Sequence, residues 1–359
     1  MLYQRERDNL LLHKDVQDSD PYEKAVYATW RLSYDKLDDS SRAFLQVCSM
    51  LHHEGISEEM FEKAALSPLQ LEDSELQNEV TMILSHLGKQ DSGWSSWDFR
   101  QVVKCLGLHS LIEYDRRNCT FSVHPLVQHW SGTTIGTNRH LMKKCVLSII
   151  GLSTPWTFNE EDYKYRHALL KHITNCTTPL NRMEIDLSVA SRLALTYFEH
   201  GLWKDAEELQ VVVMEKMKRL LGNDHPDTLT SMNNLASTYM EQGRWKDAEV
   251  LEVVVMEKRK LLLGNDHPDT LTSMNNLATT YMNQGRWKDA EELMMVVMEK
   301  RKLLLGNDHP KTLTSMANLA KTYWNQGRWK DAEELQVVVE ERSKQLLGDD
   351  RPGTHALAI

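Results

Sequence analysis

The chain has 359 residues, 41% apolar and 26% charged, with a formal net charge of -10. That length allows two to three domains with sizeable cores, and the composition excludes a collagen-like or wholly disordered chain. The acidity concentrates in residues 51–100, where ten Asp and Glu from Glu54 to Asp98 face only Lys63, Lys89 and Arg100, the opposite of a nucleic-acid footprint.

Residues 1–21 form an N-terminal segment whose opening, Met1-Leu2-Tyr3-Gln4-Arg5-Glu6-Arg7-Asp8, puts charges where a secretory leader would be apolar. No run approaches the ~18 apolar residues of a membrane span. The cysteines (Cys48, Cys105, Cys119, Cys145, Cys176) are odd in number and form no Cys-x-x-Cys pair. They read as reduced thiols, and the expectation is a cytoplasmic protein with neither membrane nor nucleic-acid partners.

Residues 22–132 read as a small module. A helix runs from Glu23 to Leu37, and the cluster Asp38-Asp39-Ser40-Ser41 starts the next. After further amphipathic helices, the last of them over Phe99–Leu108, the runs Ser110–Tyr114 and Cys119–Val123 flank a turn at Asp115-Arg116-Arg117-Asn118. A helix resumes over Pro125–Trp130. Helices followed by a hairpin predict a winged-helix-like module, and residues 133–182 then form a helical bridge.

From residue 183 to 359 a fixed period governs the chain. Gly-x-Trp-Lys-Asp-Ala-Glu recurs with its glycine at Gly201, Gly243, Gly285 and Gly327, always 42 residues apart. Leu-Leu-Gly-Asn-Asp-His-Pro recurs at Gly222, Gly264 and Gly306, with a degenerate copy at Gly348. Aligned from Asp227 and Asp269, two units differ at five of 42 positions: Ser237/Thr279, Glu241/Asn283, Val250/Glu292, Glu252/Met294 and Val253/Met295.

In each unit Leu229, Met232, Ala236 and Tyr239 or their equivalents make the apolar stripe of a helix A, closed by Gly243. Ala248, Leu251, Val254 and Val255 make a helix B that ends near Lys258-Arg259-Lys260, read as a solvated terminus. Asp224 is predicted to cap helix A, with Pro226 in its first turn and Asp227 completing a capping-box-like pair that Lys311 and Gly353 break later. Trp203, Trp245, Trp287 and Trp329 are expected as core wedges between hairpins, and Met214, Met256 and Met298 as core filling. One hairpin cannot bury its stripe, so the repeats stack into a solenoid of four units and a truncated fifth. The fold class is all-α. The fragment Gly353–Ile359 is too short to cover Ala332, Leu335, Val338 and Val339, so the C-terminal edge is expected to stay open, fray or self-associate.

Asn234-Leu235-Ala236-x-x-Tyr239, followed by Gly243-x-Trp245-x-x-Ala248-Glu249, resembles the tetratricopeptide repeat in its 42-residue, kinesin-light-chain form over residues 183–348. The first copy departs from it, with Ser191-Arg192 in place of the Asn pair. Thr29-Trp30-x-x-Ser33-Tyr34-Asp35-x-Leu37, Phe44-Leu45-x-x-Cys48 and Phe121-Ser122-Val123-His124-Pro125-Leu126-Val127 resemble the region after the nucleotide core in fungal, NLR-like STAND regulators of the NB-ARC type. That resemblance implies a nucleotide-sensing role for His124, although Val123 and Pro125 replace the family's Met and Asp. No Gly-x-x-x-x-Gly-Lys-Ser/Thr cradle exists in the sequence, the nearest string being Gly132-Thr133-Thr134-Ile135-Gly136. The chain thus looks like the C-terminal part of such a protein, without its nucleotide domain, and is expected to bind no ATP alone.

The remaining chemistry is sparse. His225, His267 and His309 recur beside prolines at helix starts, which suits caps and packing rather than metal. His52-His53-Glu54 lacks the spacing that puts two imidazoles on one helical face and reads as a polar loop. The expectation is no catalytic residue, no metal and no cofactor. One row does not fit the core: Thr230, Asn233, Ser237 and Glu241, then Thr272, Asn275, Thr279 and Asn283, then Thr314, Ala317, Lys321 and Asn325, with Met240, Met282 and Trp324 beside it. Such a row offers donors and acceptors to the backbone of an extended peptide or protein ligand. Asn234, Asn276 and Asn318 rank below it, as structural positions of the repeat. The chain therefore reads as a protein-interaction scaffold, the ligand-binding arm of such a regulator. A free-standing kinesin-light-chain-like adaptor is the alternative, though residues 1–180 show no heptad coil.

Overall fold

The computed structural model describes residues 29–177 and 182–347. The chain divides between residues 200 and 201 into two compact units. The helix start expected at Glu23 and the terminal fragment Gly353–Ile359 lie outside the described residues.

In the first unit, residues 29–35 are helical, and Asp38 caps the helix that follows, α1 (Asp39–Met50), by accepting from the N–H of Ser41 at 2.7 Å. The order is then β1 (Ile56–Ser57), α2 (Glu58–Leu66), α3 (Ser74–Leu87), β2 (Lys89–Gln90), β3 (Gly93–Trp94), α4 (Ser96–Leu108), β4 (Glu113–Asp115), β5 (Thr120–Ser122) and α5 (Pro125–Thr133). Helices α6 (Arg139–Ser153), α7 (Glu160–Thr177) and α8 (Leu187–Glu199) complete it. The expected hairpin is β4–β5. A further strand, β1, pairs antiparallel with β5, placing Ile56 opposite Phe121 in a sheet of order β1-β5-β4. A two-residue strand carries too few side chains to show a period.

This unit closes around aromatic rings. Phe44 lies 5.5 Å from Phe61, 5.2 Å from Phe99 and 6.3 Å from Phe121, all edge-on. Three polar side chains tie its elements together through hydrogen bonds. The Gln128 amide donates to the carbonyls of Cys48 (3.2 Å) and Leu51 (2.6 Å), fastening α5 to the end of α1. His172 on α7 accepts from the N–H of His52 at Nδ1 (3.1 Å) and donates from Nε2 to the carbonyl of Gly55 (3.1 Å), so the loop expected at His52-His53-Glu54 is pinned by a neutral imidazole. Arg166, 1% exposed, meets Glu199 at 2.5 and 3.0 Å and the carbonyls of Pro155 and Thr157 at 3.1 and 2.8 Å.

The second unit is built of hairpins. Helix α9 (Trp203–Leu221) is followed by α10 (Pro226–Glu241) and α11 (Trp245–Leu263), α12 (Pro268–Asn283) and α13 (Trp287–Leu305), and α14 (Pro310–Asn325) and α15 (Trp329–Leu347). Each A helix ends as its glycine predicts. Gly243 has φ +73°, its N–H reaches the carbonyl of Met240 (3.0 Å), and the N–H of Arg244 reaches that of Tyr239 (2.8 Å). This is the Schellman pattern, and the Arg244 guanidinium folds back over the Tyr239 ring at 4.2 Å. The same stack recurs at Arg286–Tyr281 (4.0 Å) and Arg328–Tyr323 (3.9 Å). Between hairpins the apolar stripes merge: Leu229 and Met232 pack with Val255, and Leu271 and Met274 with Val297. Met214 and Met256 pack against these clusters and Met298 is buried, as core filling requires.

Three local expectations are corrected. The N-cap of α10 is His225, not Asp224: its Nδ1 accepts from the N–H of Asp227 at 3.2 Å, and His267 and His309 do the same for α12 and α14. Pro226 occupies the first turn, and the aspartate one residue before the cap pairs instead with helix B of its own hairpin, Asp224 with Lys258 on α11 at 2.8 Å. The tryptophans are not wedges. Trp203, Trp245, Trp287 and Trp329 are 36–55% exposed, because each is the first residue of its B helix and the inside position belongs to a buried alanine such as Ala248. The basic runs are not simply solvated. Arg259 donates to Ser273 Oγ (2.9 Å) and the 6% exposed Arg301 to Ser315 Oγ (2.8 Å), each reaching the second turn of the next helix A.

Candidate peptide-binding face of the solenoid

Helical periodicity turns the polar row of each helix A away from the stripe that packs on helix B. Thr230 and Thr314 are exposed and Thr272 is half-buried, and Glu241, Asn283, Lys321 and Asn325 are exposed. Asn233, Asn275, Ser237 and Thr279 are half-buried, and Trp324 is 59% exposed, edge-on to Trp329 at 4.6 Å.

The hydroxyls of this row are not free donors. Thr230, Thr272 and Thr314 donate to the carbonyls of Pro226, Pro268 and Pro310 at 2.8–2.9 Å, and Ser237 and Thr279 to those of Asn233 and Asn275 at 3.1 and 3.0 Å. Each hydroxyl thus spends its proton one turn back along its own helix, and the Thr230 oxygen also accepts from the Arg259 guanidinium at 3.4 Å.

The donors come from the amides, and here the two asparagine rows act together. Asn276 Nδ2 donates to Asn233 Oδ1 (3.0 Å), and Asn318 Nδ2 donates to Asn275 Oδ1 (3.1 Å). This ladder crosses consecutive repeats. It leaves the amide nitrogens of Asn233 and Asn275 and the amide oxygens of Asn276 and Asn318 without partners among the described residues. The second row, ranked as structural, therefore lies on the same face and holds the first. Its only sequence signal is the recurring Asn-Asn pair. The face is also polarised: Glu241 on α10 is acidic, Lys321 on α14 is basic, and the corresponding positions of α12 are the neutral Asn283 and Thr279.

Beneath it lies a second set of contacts that the sequence did not announce. Thr238 donates to Gln210 Oε1 (2.6 Å) and Thr280 to Glu252 Oε2 (2.6 Å), while Thr322 meets Met294 Sδ at 3.1 Å. Glu252 is 3% exposed, and burial pushes its carboxyl up to about 7 against the opposing effect of the Thr280 bond.

In the first unit, His124 is the N-cap of α5, exposed, with Nδ1 accepting from the N–H of Leu126 at 3.3 Å. No group of three or more His, Cys, Asp or Glu among the described residues could hold a metal ion, and no described helix is long and apolar enough to cross a membrane.

This array of capped hairpins is a tetratricopeptide-repeat solenoid preceded by a helical region. Models of the tetratricopeptide repeat match residues 187–227, 228–269 and 269–345, and a domain of unknown function (DUF7779) matches residues 32–140. Among solved structures, the chain is similar to nearly identical TPR-like repeats from a Podosopora anserina protein described as a candidate kinesin light chain, with 27% identity and a TM-score of 0.43, covering 53% of this chain and 89% of that one. It is also similar to BtubC from P. vanneervenii (16% identity, TM-score 0.44, 61% and 88% covered). A third is a STAND protein with a tetratricopeptide repeat sensor from Pyrococcus horikoshii (12% identity, TM-score 0.37, 86% and 51% covered). No curated protein matches the chain.

Proposed function

We propose that the solenoid is a protein-interaction scaffold that holds an extended segment of a protein ligand along the A-helix face. The observation that carries this is the asparagine ladder. It fixes amide donors and acceptors at the repeat spacing, with hydroxyl oxygens between them, so main-chain N–H and C=O groups of an extended segment find partners without the face reorganising. The polarity from Glu241 to Lys321 gives the ligand a preferred direction, its basic side chains toward α10 and acidic ones toward α14, with Trp324 offering an apolar contact.

The cellular context we propose is a regulatory one: the ligand-binding arm of a fungal-type, NLR-like STAND protein, cytoplasmic, with the nucleotide-binding core absent from this sequence. The order α1-β1-α2-α3-α4 followed by the β4–β5 hairpin, with β1 paired to β5 and the short β2–β3 pair inserted between α3 and α4, supports a winged-helix reading of the first unit and favours this context over a free-standing adaptor. In this reading His124 is a vestige, since the ring nitrogen that caps α5 is already engaged. The scaffold needs neither catalysis nor a cofactor.

The test is selection of random peptides from a display library on the full chain, followed by fluorescence anisotropy with the peptides recovered. The double variant Asn233→Ala, Asn275→Ala is expected to weaken them by roughly tenfold or more, as loss of central interface contacts does. Selected peptides that bind the variant as well as the parent chain would place the ligand elsewhere and end the reading.

A further inference from the structure

The turn between helices A and B is built alike from repeat to repeat. Trp245 and Trp287 start their B helices 40% and 41% exposed. Gln284 of the following repeat donates to the carbonyl of Trp245 at 3.1 Å, and Gln326 to that of Trp287 at 3.2 Å, so each tryptophan is fixed at the junction of two repeats. Its indole N–H has no partner among the described residues.

Beside Trp287 the surface dips into a cleft of about 670 Å³. Trp287, Lys288, Asp289 and Glu291 line it from one repeat, and Gln326 and Arg328 from the next. Its carboxylates are spent internally. Asp289 accepts from Arg286 Nε at 2.7 Å, and Glu291 accepts from Gln326 and Arg328, each at 2.8 Å. What remains unpaired is cationic: Lys288 is exposed and has no ion pair or hydrogen bond among the described residues. The same group recurs around Trp245 and the exposed, unpaired Lys246, where Asp247 accepts from Arg244 (2.7 Å) and Glu249 from Gln284 (2.8 Å) and Arg286 (2.7 Å). Trp203-Lys204 and Trp329-Lys330 repeat the dipeptide at the flanking turns.

We propose that these turn clefts bind an acidic segment of a partner protein. Carboxylates of the segment pair with Lys246 and Lys288, the indole N–H groups of Trp245 and Trp287 donate to its oxygens, and its apolar atoms lie against the indole rings. The cleft beside Trp287 has the volume of a ligand site and a tryptophan wall of the kind that anchors interfaces. Its complement is an anion, because each carboxylate lining it already has a basic partner and the lysine has none. An acidic peptide fits better than a nucleic acid, since one unpaired lysine per repeat, set beside two carboxylates, does not match a phosphate at every nucleotide. Recurrence of the group in consecutive repeats lets individually weak contacts add along one segment. None of these residues belongs to the polar row, and the proposal does not depend on the A-helix face binding anything.

The experiment titrates the full chain into a fluorescein-labelled synthetic peptide of six Glu-Pro repeats, which its prolines keep extended, and follows anisotropy. Saturable binding is expected, with the Lys246→Glu, Lys288→Glu chain binding roughly tenfold or more weakly, as loss of interfacial charge pairs does. The Trp245→Ala, Trp287→Ala chain is expected to lose a similar factor. The Lys260→Glu, Lys302→Glu chain carries the same charge change at the far ends of the two B helices and is expected to bind as the parent does. Lys246 and Lys288 are exposed, so circular dichroism melting of their variant should match the parent. Absence of saturable binding, binding that survives the Lys246→Glu, Lys288→Glu exchange, or an equal loss in both lysine variants overturns the proposal. Tighter binding of a single-stranded oligothymidylate of the same length overturns it in favour of a nucleic acid. Loss of binding in the Asn233→Ala, Asn275→Ala chain overturns it too, because the peptide then sits on the A-helix face.

Discussion

Glu252 is the residue at which two nearly identical repeats part company most sharply. The same position is Gln210, Met294 and Gln336 in the other units, and only here does it place a carboxyl 3% exposed, 2.6 Å from the hydroxyl of Thr280. Burial, with a smaller push from Glu249, raises its folded-state value to about 7 from 4.5. The folded chain therefore holds this proton more tightly than the unfolded chain. Ionisation costs nothing below pH 4.5, costs progressively more as pH rises to 7, and reaches a plateau of about 3 kcal/mol above that. Glu252→Gln keeps an oxygen to accept from Thr280 and removes the charge. It should stabilise the chain by up to ~3 kcal/mol at pH 8, and by almost nothing near pH 4.5, in urea unfolding. A gain of equal size at both pH values would show that shape, not charge, sets the cost.

At the scale of the element, the helix ends carry the clearest lesson about what a sequence discloses. The A-helix C-termini were legible because only a residue free to take positive φ ends a helix this way, and Gly243 recurs where the stripe stops. The N-termini were misplaced by one residue. Aspartate is a strong cap former, but an imidazole whose Nδ1 accepts from the N–H two residues on does the same work, and Pro226 then falls in the first turn. His225→Ala should lower stability by roughly 1 kcal/mol in thermal unfolding, with His225→Asn recovering most of it. Asp224→Ala, which breaks only the half-exposed pair with Lys258, should lie within about 0.5 kcal/mol of the parent. The reverse order would restore the aspartate as the cap. The polar row's place opposite the stripe follows from helical period, but its exposure is uneven, and Asn233, Ser237, Thr272, Asn275 and Thr279 are half-buried. The asparagine ladder joins residues 43 apart, and the back-bonded hydroxyls depend on rotamers, so neither is written in a local pattern.

Across the whole molecule the chain contains two units whose buried titratable groups respond to acid in opposite directions. In the first, burial holds His172 down at about 4 from 6.5, and both of its nitrogens are committed to neutral partners in the loop after α1. A depressed histidine contributes stability that is present above pH 6.5 and is lost as pH falls toward 4. In the solenoid, the raised Glu252 relieves its own cost over nearly the same range, from pH 7 down to 4.5. From pH 7.5 to pH 5 the first unit should lose roughly 2 kcal/mol through His172 while the solenoid gains roughly 2–3 kcal/mol through Glu252. Stacked repeats are coupled mainly to their neighbours, so the gain belongs to the junction of α11 with α12 and should strengthen protection around it. Hydrogen exchange at the two pH values, corrected for intrinsic rates, is the measurement. Relative to the Glu252→Gln chain, protection over residues 245–283 should rise at pH 5, and relative to a His172→Gln chain, protection over residues 44–57 should fall. Parallel changes in both segments, or changes that persist in the variants, would mean that other groups govern the acid response.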